Sequence, residues 1–150
     1  MPKPTMLKMT ILTFAAALLV ATAVAAAFSQ TATSSSPKYH VVFQMSEPEG
    51  QAWDSLILHV NNTRASLGKE NSQMEVVFFG PGLNMLLKKN SAYEARLKDL
   101  SDSGVKLIAC QNAMRYRNVA SADLFPFAAE VDSAIAEMVR KQQAGWQYVH

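Results

Sequence analysis

Cys110 is the one side chain here able to act as a soft nucleophile, since the 150-residue sequence holds a single cysteine. A thiolate attacks disulfides, sulfane sulfur and acyl carbon, and it does so where nearby positive charge stabilises it. Cys110 closes the apolar run at residues 105–110 (VKLIAC), and Arg115 and Arg117 follow shortly after. If a helix opens at Gln111 or Asn112, the sulfur lies near its N-terminus with both arginines within one or two turns. Helix dipole and arginine charge then both favour the thiolate. Against this stands the reading of a lone cysteine at a strand end as a small buried hydrophobe.

Other chemistry finds less support. His40, His59 and His150 are scattered, so with one cysteine there is no metal-ligand spacing and no internal disulfide. His40 falls in a different predicted strand, at its N-terminal end, and His59 falls on a predicted helix, so a Cys-His dyad for acyl transfer is unsupported. Glu47 with Glu49 reads as helix capping, and Asp99 with Asp102 as a solvated helix end. Gly80-Pro81-Gly82 lacks the spacing and the lysine of a phosphate loop. It forms, with Asn84, a loop whose backbone amides can approach a small anion or line a pocket. No metal and no cofactor are expected. Lys+Arg 14 against Asp+Glu 12 leaves a net charge of +2, which Lys3 and Lys8 alone supply. The remainder is electrically balanced, a poor candidate for nucleic-acid binding.

The elements that must position Cys110 alternate between strand and helix. Residues 39–45 (YHVVFQM), 74–79 (MEVVFF) and 105–110 are nearly continuous apolar runs, as in strands of a parallel sheet covered on both faces. Between the first two, residues 47–67 predict a helix. Ser46 and Glu49 have capping-box spacing, Trp53, Leu56, Ile57, Val60 and Leu67 form the inward stripe, and Gly68 ends it. After Gly82, residues 83–89 predict a short helix. Ser91 and Glu94 repeat the capping-box spacing before a helix with Tyr93, Leu97 and Leu100 on one face, stopping at Gly104. Residues 112–117 predict one helical turn and 127–131 a fourth strand. Asp132 or Ser133 caps a last helix with Ile135, Met138 and Val139 inward, and 146–149 an edge strand. The pattern predicts an α/β three-layer sandwich, a mostly parallel sheet of about five strands flanked by helices. In such sheets sites form beyond the carboxyl ends of the strands. That singles out residues 44–49, 80–86 and 110–117.

The N-terminus reads as an address. Two lysines precede residues 9–28, which carry no charge, and small residues at 23–27 suit a signal peptidase. Residues 1–27 are therefore expected to be a signal peptide or, if retained, a membrane anchor facing the periplasm. Residues 28–37, rich in Ser and Thr, are expected to be a flexible linker and 38–150 the folded domain. The domain is expected to be periplasmic or secreted, meeting a membrane only if the segment is retained.

Together, VVFQ in the first strand, EVVFFGPGLNML, SGVKLIACQNAMR and the terminal EMVRKQQAGWQYV resemble the DsrE/DsrF-like (YchN-like) family, over the domain from Tyr39 to Val149. That resemblance implies a compact α/β sandwich assembled as a homo-oligomer, trimer or hexamer. It also implies that Cys110 matches the position that carries a persulfide in the family's sulfur-relay members, with Asn112, Met114 and Arg115 in the loop framing it. Arg115 would stabilise the anion, and the partners would be sulfur donor and acceptor proteins. The relay members work in the cytoplasm, whereas this chain opens on an export layout. The alternative is a non-catalytic oligomeric ligand-binding protein. In it Gly80, Gly82, Asn84 and the Cys110 loop form a pocket and the thiol is structural. Redox sensing by Cys110 is a third reading.

Overall fold

The computed structural model describes residues 37–150. The expected signal segment and nearly all of the expected linker lie outside the described residues. Among those described, no helix is long and apolar enough to cross a membrane.

The five predicted strands form: β1 (Tyr39–Met45), β2 (Ser72–Phe78), β3 (Lys106–Cys110), β4 (Ala129–Val131) and β5 (Gln147–Val149). Every pairing is parallel and the order is β4-β3-β2-β1-β5. Helices α1 (Gln51–Leu67), α2 (Glu94–Asp102) and α3 (Gln111–Tyr116) carry the chain stepwise from β1 to β4. Helix α4 (Ala134–Gln143) then returns it across the sheet to β5 beside β1.

Alternation along the strands separates two apolar layers. Val41, Phe43, Val76, Phe78, Leu107 and Ala109 face α1 and α2, where Trp53, Leu97 and Leu100 are buried with them. Val42, Val77, Ile108 and Cys110 face the other way and pack on Ala134 and Met138 of α4. The expected three layers are thus present, with α1, α2 and Met114 of α3 packed on one face and α4 on the other. Trp53 is wholly buried, edge-on to Tyr93 at 5.1 Å, with its indole N–H donating to the Glu47 carbonyl at 2.9 Å. It is core, as its position in the stripe predicts.

Several local expectations are corrected. Helix α1 starts at Gln51, not Glu47, and has no side-chain cap. Gly50 stands at its N-cap with φ 150°, and the Ser46 hydroxyl is engaged by its neighbours Gln44 and Glu47. Pro48 and Gly50 hold the chain out of helix where the capping-box spacing alone suggested a start. Ser91 likewise caps nothing. Residues Gly80–Leu86 and Lys88–Tyr93 form 3₁₀ turns, and α2 begins at Glu94 without a side-chain cap. The fourth strand is only Ala129–Val131.

The last helix is rotated from expectation. Ser133 is its cap, accepting the Ala136 N–H at 3.4 Å, so the helix starts at Ala134. Its inward positions are Ala134 and Met138, one turn apart, while Ile135 and Val139 face solvent. Phe125 is buried and stacks on Phe127 at 5.3 Å, and Trp146 lies against His40 at 5.3 Å.

Candidate functional site

In an open α/β sheet, a crevice forms where the chain leaving one strand turns to one face and the chain leaving its neighbour turns to the other. That happens here between β3 and β4. After β3 the chain enters α3, whose Met114 packs into the α1/α2 layer, and after β4 it enters α4 on the opposite face. The register pairs Cys110 with Val131, so both strands end at this point. Cys110 is the last residue of β3 and the N-cap residue of α3.

The ends of the two strands are tied together. The Asn112 N–H donates to the Asp132 carbonyl at 3.2 Å, and the Gln111 side chain to Glu130 Oε2 at 3.0 Å. Hydrogen bonds from Ser121 and Gln111 hold the Glu130 carboxyl below its ordinary pKa. The Arg140 guanidinium, 2.7 Å from Asp132, does the same for that aspartate. Cys110 itself is only 4% exposed. Its Sγ accepts the backbone N–H of Ala134 at 3.2 Å. A donor at the first residue of a ten-residue helix is thus directed at the sulfur, where negative charge on a thiolate or a persulfide would be held.

Cys110 opens onto a cavity of about 410 Å³. Phe79, Gly80 and Pro81 form one wall, where β2 ends, and Ala113, Tyr116 and Arg117 of the α3 segment form another. Ser133, Ala134 and Ile135 at the start of α4 close it, and Asn112 also lines it. Of the expected site residues, Cys110, Asn112 and Gly80 therefore come together.

Others lie elsewhere. Arg115 donates to Asn112 Oδ1 and does not line the cavity; the cation that does is Arg117. Met114 is buried on the far side of α3, in the α1/α2 layer. Gly82 serves packing, since a Cβ there would meet the Met45 carbonyl oxygen at 2.4 Å, and its N–H is already given to the Ser46 carbonyl at 3.2 Å. Asn84 contributes its carbonyl to the Leu87 N–H, at 3.2 Å, and to the Asn90 side chain. The segment around Ser46 and Glu47 lines a separate cavity of about 190 Å³ with His59 and His150. Sequence reasoning missed the start of α4 and Phe79 as cavity walls, while Pro81 and Tyr116 fall in the segments 80–86 and 110–117 that it singled out. Ser133 as a cap was legible, but the β3–β4 pairing that brings it beside Cys110 has no local sequence signal. Among the described residues, no three His, Cys, Asp or Glu side chains are placed to hold a metal ion.

The arrangement defines a parallel α/β sandwich with a cysteine at its switch point. Residues 38–150 match the model of the DsrE/DsrF-like family, and the chain belongs to that family. It is similar in structure to the protein of unknown function MTH1491 from Methanobacterium thermoautotrophicum. The two share 33% identity over 74% of this chain and 97% of that one, with a TM-score of 0.70. A comparison with curated proteins finds no match.

Proposed function

We propose that this protein handles sulfane sulfur through a persulfide on Cys110. The observation that carries the reading is the position of Sγ, at the wall of a cavity and hydrogen-bonded by the first N–H of α4 at 3.2 Å. Family membership supports a sulfur-related role for the same residue. In the loading step the Cys110 thiolate attacks the sulfane sulfur of a donor persulfide. The new S–S bond forms as the donor's S–S bond breaks, and the electron pair leaves with the donor thiolate. An acceptor thiolate then attacks the outer sulfur and Cys110 departs as thiolate. The two transfers balance without an external oxidant or reductant.

Incubation with a sulfane-sulfur donor, followed by intact mass measurement, should show wild type gaining one sulfur atom, reversibly on reduction. Cys110→Ser should gain none. A loaded serine variant would remove Cys110 from the reaction.

Burial of Cys110 favours a second reading, a ligand-binding protein in which the thiol only lines the cavity. A thiol that resists alkylating reagents in the folded protein would select it. We further propose that the chain is exported, on the layout of its first 27 residues, and that it self-associates. Exposed Val139, further along α4 than the cavity mouth, is apolar surface suited to a partner copy. A monomer mass in solution would exclude self-association.

A further inference from the structure

We infer that the Cys110 cavity selects an organic sulfane-sulfur donor, with an apolar body and a single negative charge at its sulfur end, over an inorganic donor such as thiosulfate. This rests on the persulfide reading above and adds the class of donor.

The cavity's walls are mostly apolar, with Asn112, Ser133 and Arg117 as the polar side chains among them. Phe79 and Pro81 on one side face Ala113 on another, with Ile135 and Tyr116 at the opening, where they are 58% and 88% exposed. A doubly charged, strongly hydrated anion would lose water against such walls with few donors to replace it. An aliphatic or aromatic group would instead cover apolar surface that otherwise meets solvent. At about 410 Å³ the space falls within the roughly 300–1,000 Å³ typical of small-molecule sites.

The charge in the cavity is equally selective. Among the described residues Arg117 is the only charged one lining it, and none of their ion pairs uses Arg117. Among the described residues no carboxylate lines the cavity to repel an anion. One unpaired guanidinium matches one negative charge. Arg115 occupies Asn112 Oδ1, which leaves the amide nitrogen as that side chain's donor end.

A thiosulfonate, R–SO₂–S⁻, shows the chemistry. The Cys110 thiolate attacks its sulfane sulfur and the Cys–S–S bond forms. The donor's S–S bond breaks and its electron pair leaves as the sulfinate R–SO₂⁻. Two negative charges enter, two leave and no proton moves.

Loading rates of the protein can be followed by intact mass with benzenethiosulfonate, methanethiosulfonate and thiosulfate. Dividing each rate by that of N-acetylcysteine with the same donor cancels intrinsic reactivity. The expected normalised rate with benzenethiosulfonate exceeds that with methanethiosulfonate by roughly tenfold or more, as hydrophobic pockets discriminate. Thiosulfate should fall below both. Ile135→Ser, at an exposed position, should reduce the preference for the ring several-fold. Arg117→Gln should slow both thiosulfonates by roughly tenfold, less than loss of a buried anion donor because Arg117 is exposed. Loading at Cys110 with equal normalised rates for all donors would overturn the donor class and leave the persulfide reading standing. So would rates indifferent to both substitutions. No loading from any donor would overturn both.

Discussion

The two faces of the sheet are built to different standards. On one, α1, α2, α3 and the 3₁₀ turns bury Trp53, Phe78, Leu83, Met85, Leu86 and Phe125 almost completely, with no buried charged group among the described residues of the layer. On the other, a single ten-residue helix contributes Ala134 and Met138 over Val42, Val77 and Ile108. That thin face also holds Glu75, buried to 2% exposure in the middle of β2, whose Oε2 pairs with Lys141 at 2.7 Å while Oε1 has no partner among the described residues. Lys141 in turn lies 4.2 Å from the Trp146 ring and 3.4 Å from Glu137. Cys110 points into this same face, at its edge. The thick face supplies the bulk of the apolar burial. The thin one carries the polar groups and the thiol, and a sulfur placed there can be reached without opening the main core.

Substitution can break that comparison. Trp53→Ala removes the largest buried side chain of the thick face together with its hydrogen bond, and should lower stability by about 3–5 kcal/mol in urea denaturation. Met138→Ala, at a site the helix can partly close, should cost about 2 kcal/mol. Equal losses would mean that the two faces share the load.

The ionic contact sharpens the contrast. Lys141→Met leaves Glu75 buried without its cation, and about 2–3 kcal/mol should be lost, toward the low end for a broken buried pair because Lys141 keeps 18% side-chain exposure. Adding Glu75→Leu should recover most of it, since two apolar groups in place of a buried pair are often neutral. A double variant as unstable as the single one would show that the pair does more than compensate its own burial.

The thick face was the more legible of the two. Trp53, Leu56, Ile57 and Val60 repeat at helical spacing and the strands are continuous apolar runs, so burial on that side follows from local pattern. The thin face depends on registers that no local pattern encodes. Glu75 sits inside a strand run and reads as an interruption until β2 is seen under α4. Ile135 and Val139 have helical spacing with Met138, yet the cap at Ser133 and the small Ala134 turn a different stripe inward. Cys110 was legible as the end of a strand, but its hydrogen-bond donor lies 24 residues on and reaches it only through the β3–β4 pairing. Arg115 and Arg117 could not be told apart by sequence. The hydrogen bond to Asn112 ties up Arg115 and leaves Arg117 on the cavity.

The smallest expected effect lies in the clasp that joins the ends of β3 and β4. Glu130 and Asp132 both have carboxyls held below their ordinary values of 4.5 and 3.8 by side-chain donors from Ser121 and Gln111, and from Arg140. A folded-state pKa below the unfolded one means that their stabilisation is present at neutral pH and is lost as pH falls below about 4.5 and through the folded values. Both groups are near solvent, so the loss is small and weakens further with salt. Glu130→Gln/Asp132→Asn should therefore lower the melting temperature slightly at pH 6 and make no difference at the acid end, so that the gap to wild type closes on acidification. Because the Glu130 side chain holds Gln111, the residue immediately after Cys110, the same variant should also expose the thiol. Alkylation of Cys110 at neutral pH should be faster in it than in wild type. Alkylation as slow as in wild type would assign the clasp to the backbone contact between Asn112 and Asp132, which the variant leaves in place, and not to the carboxylates.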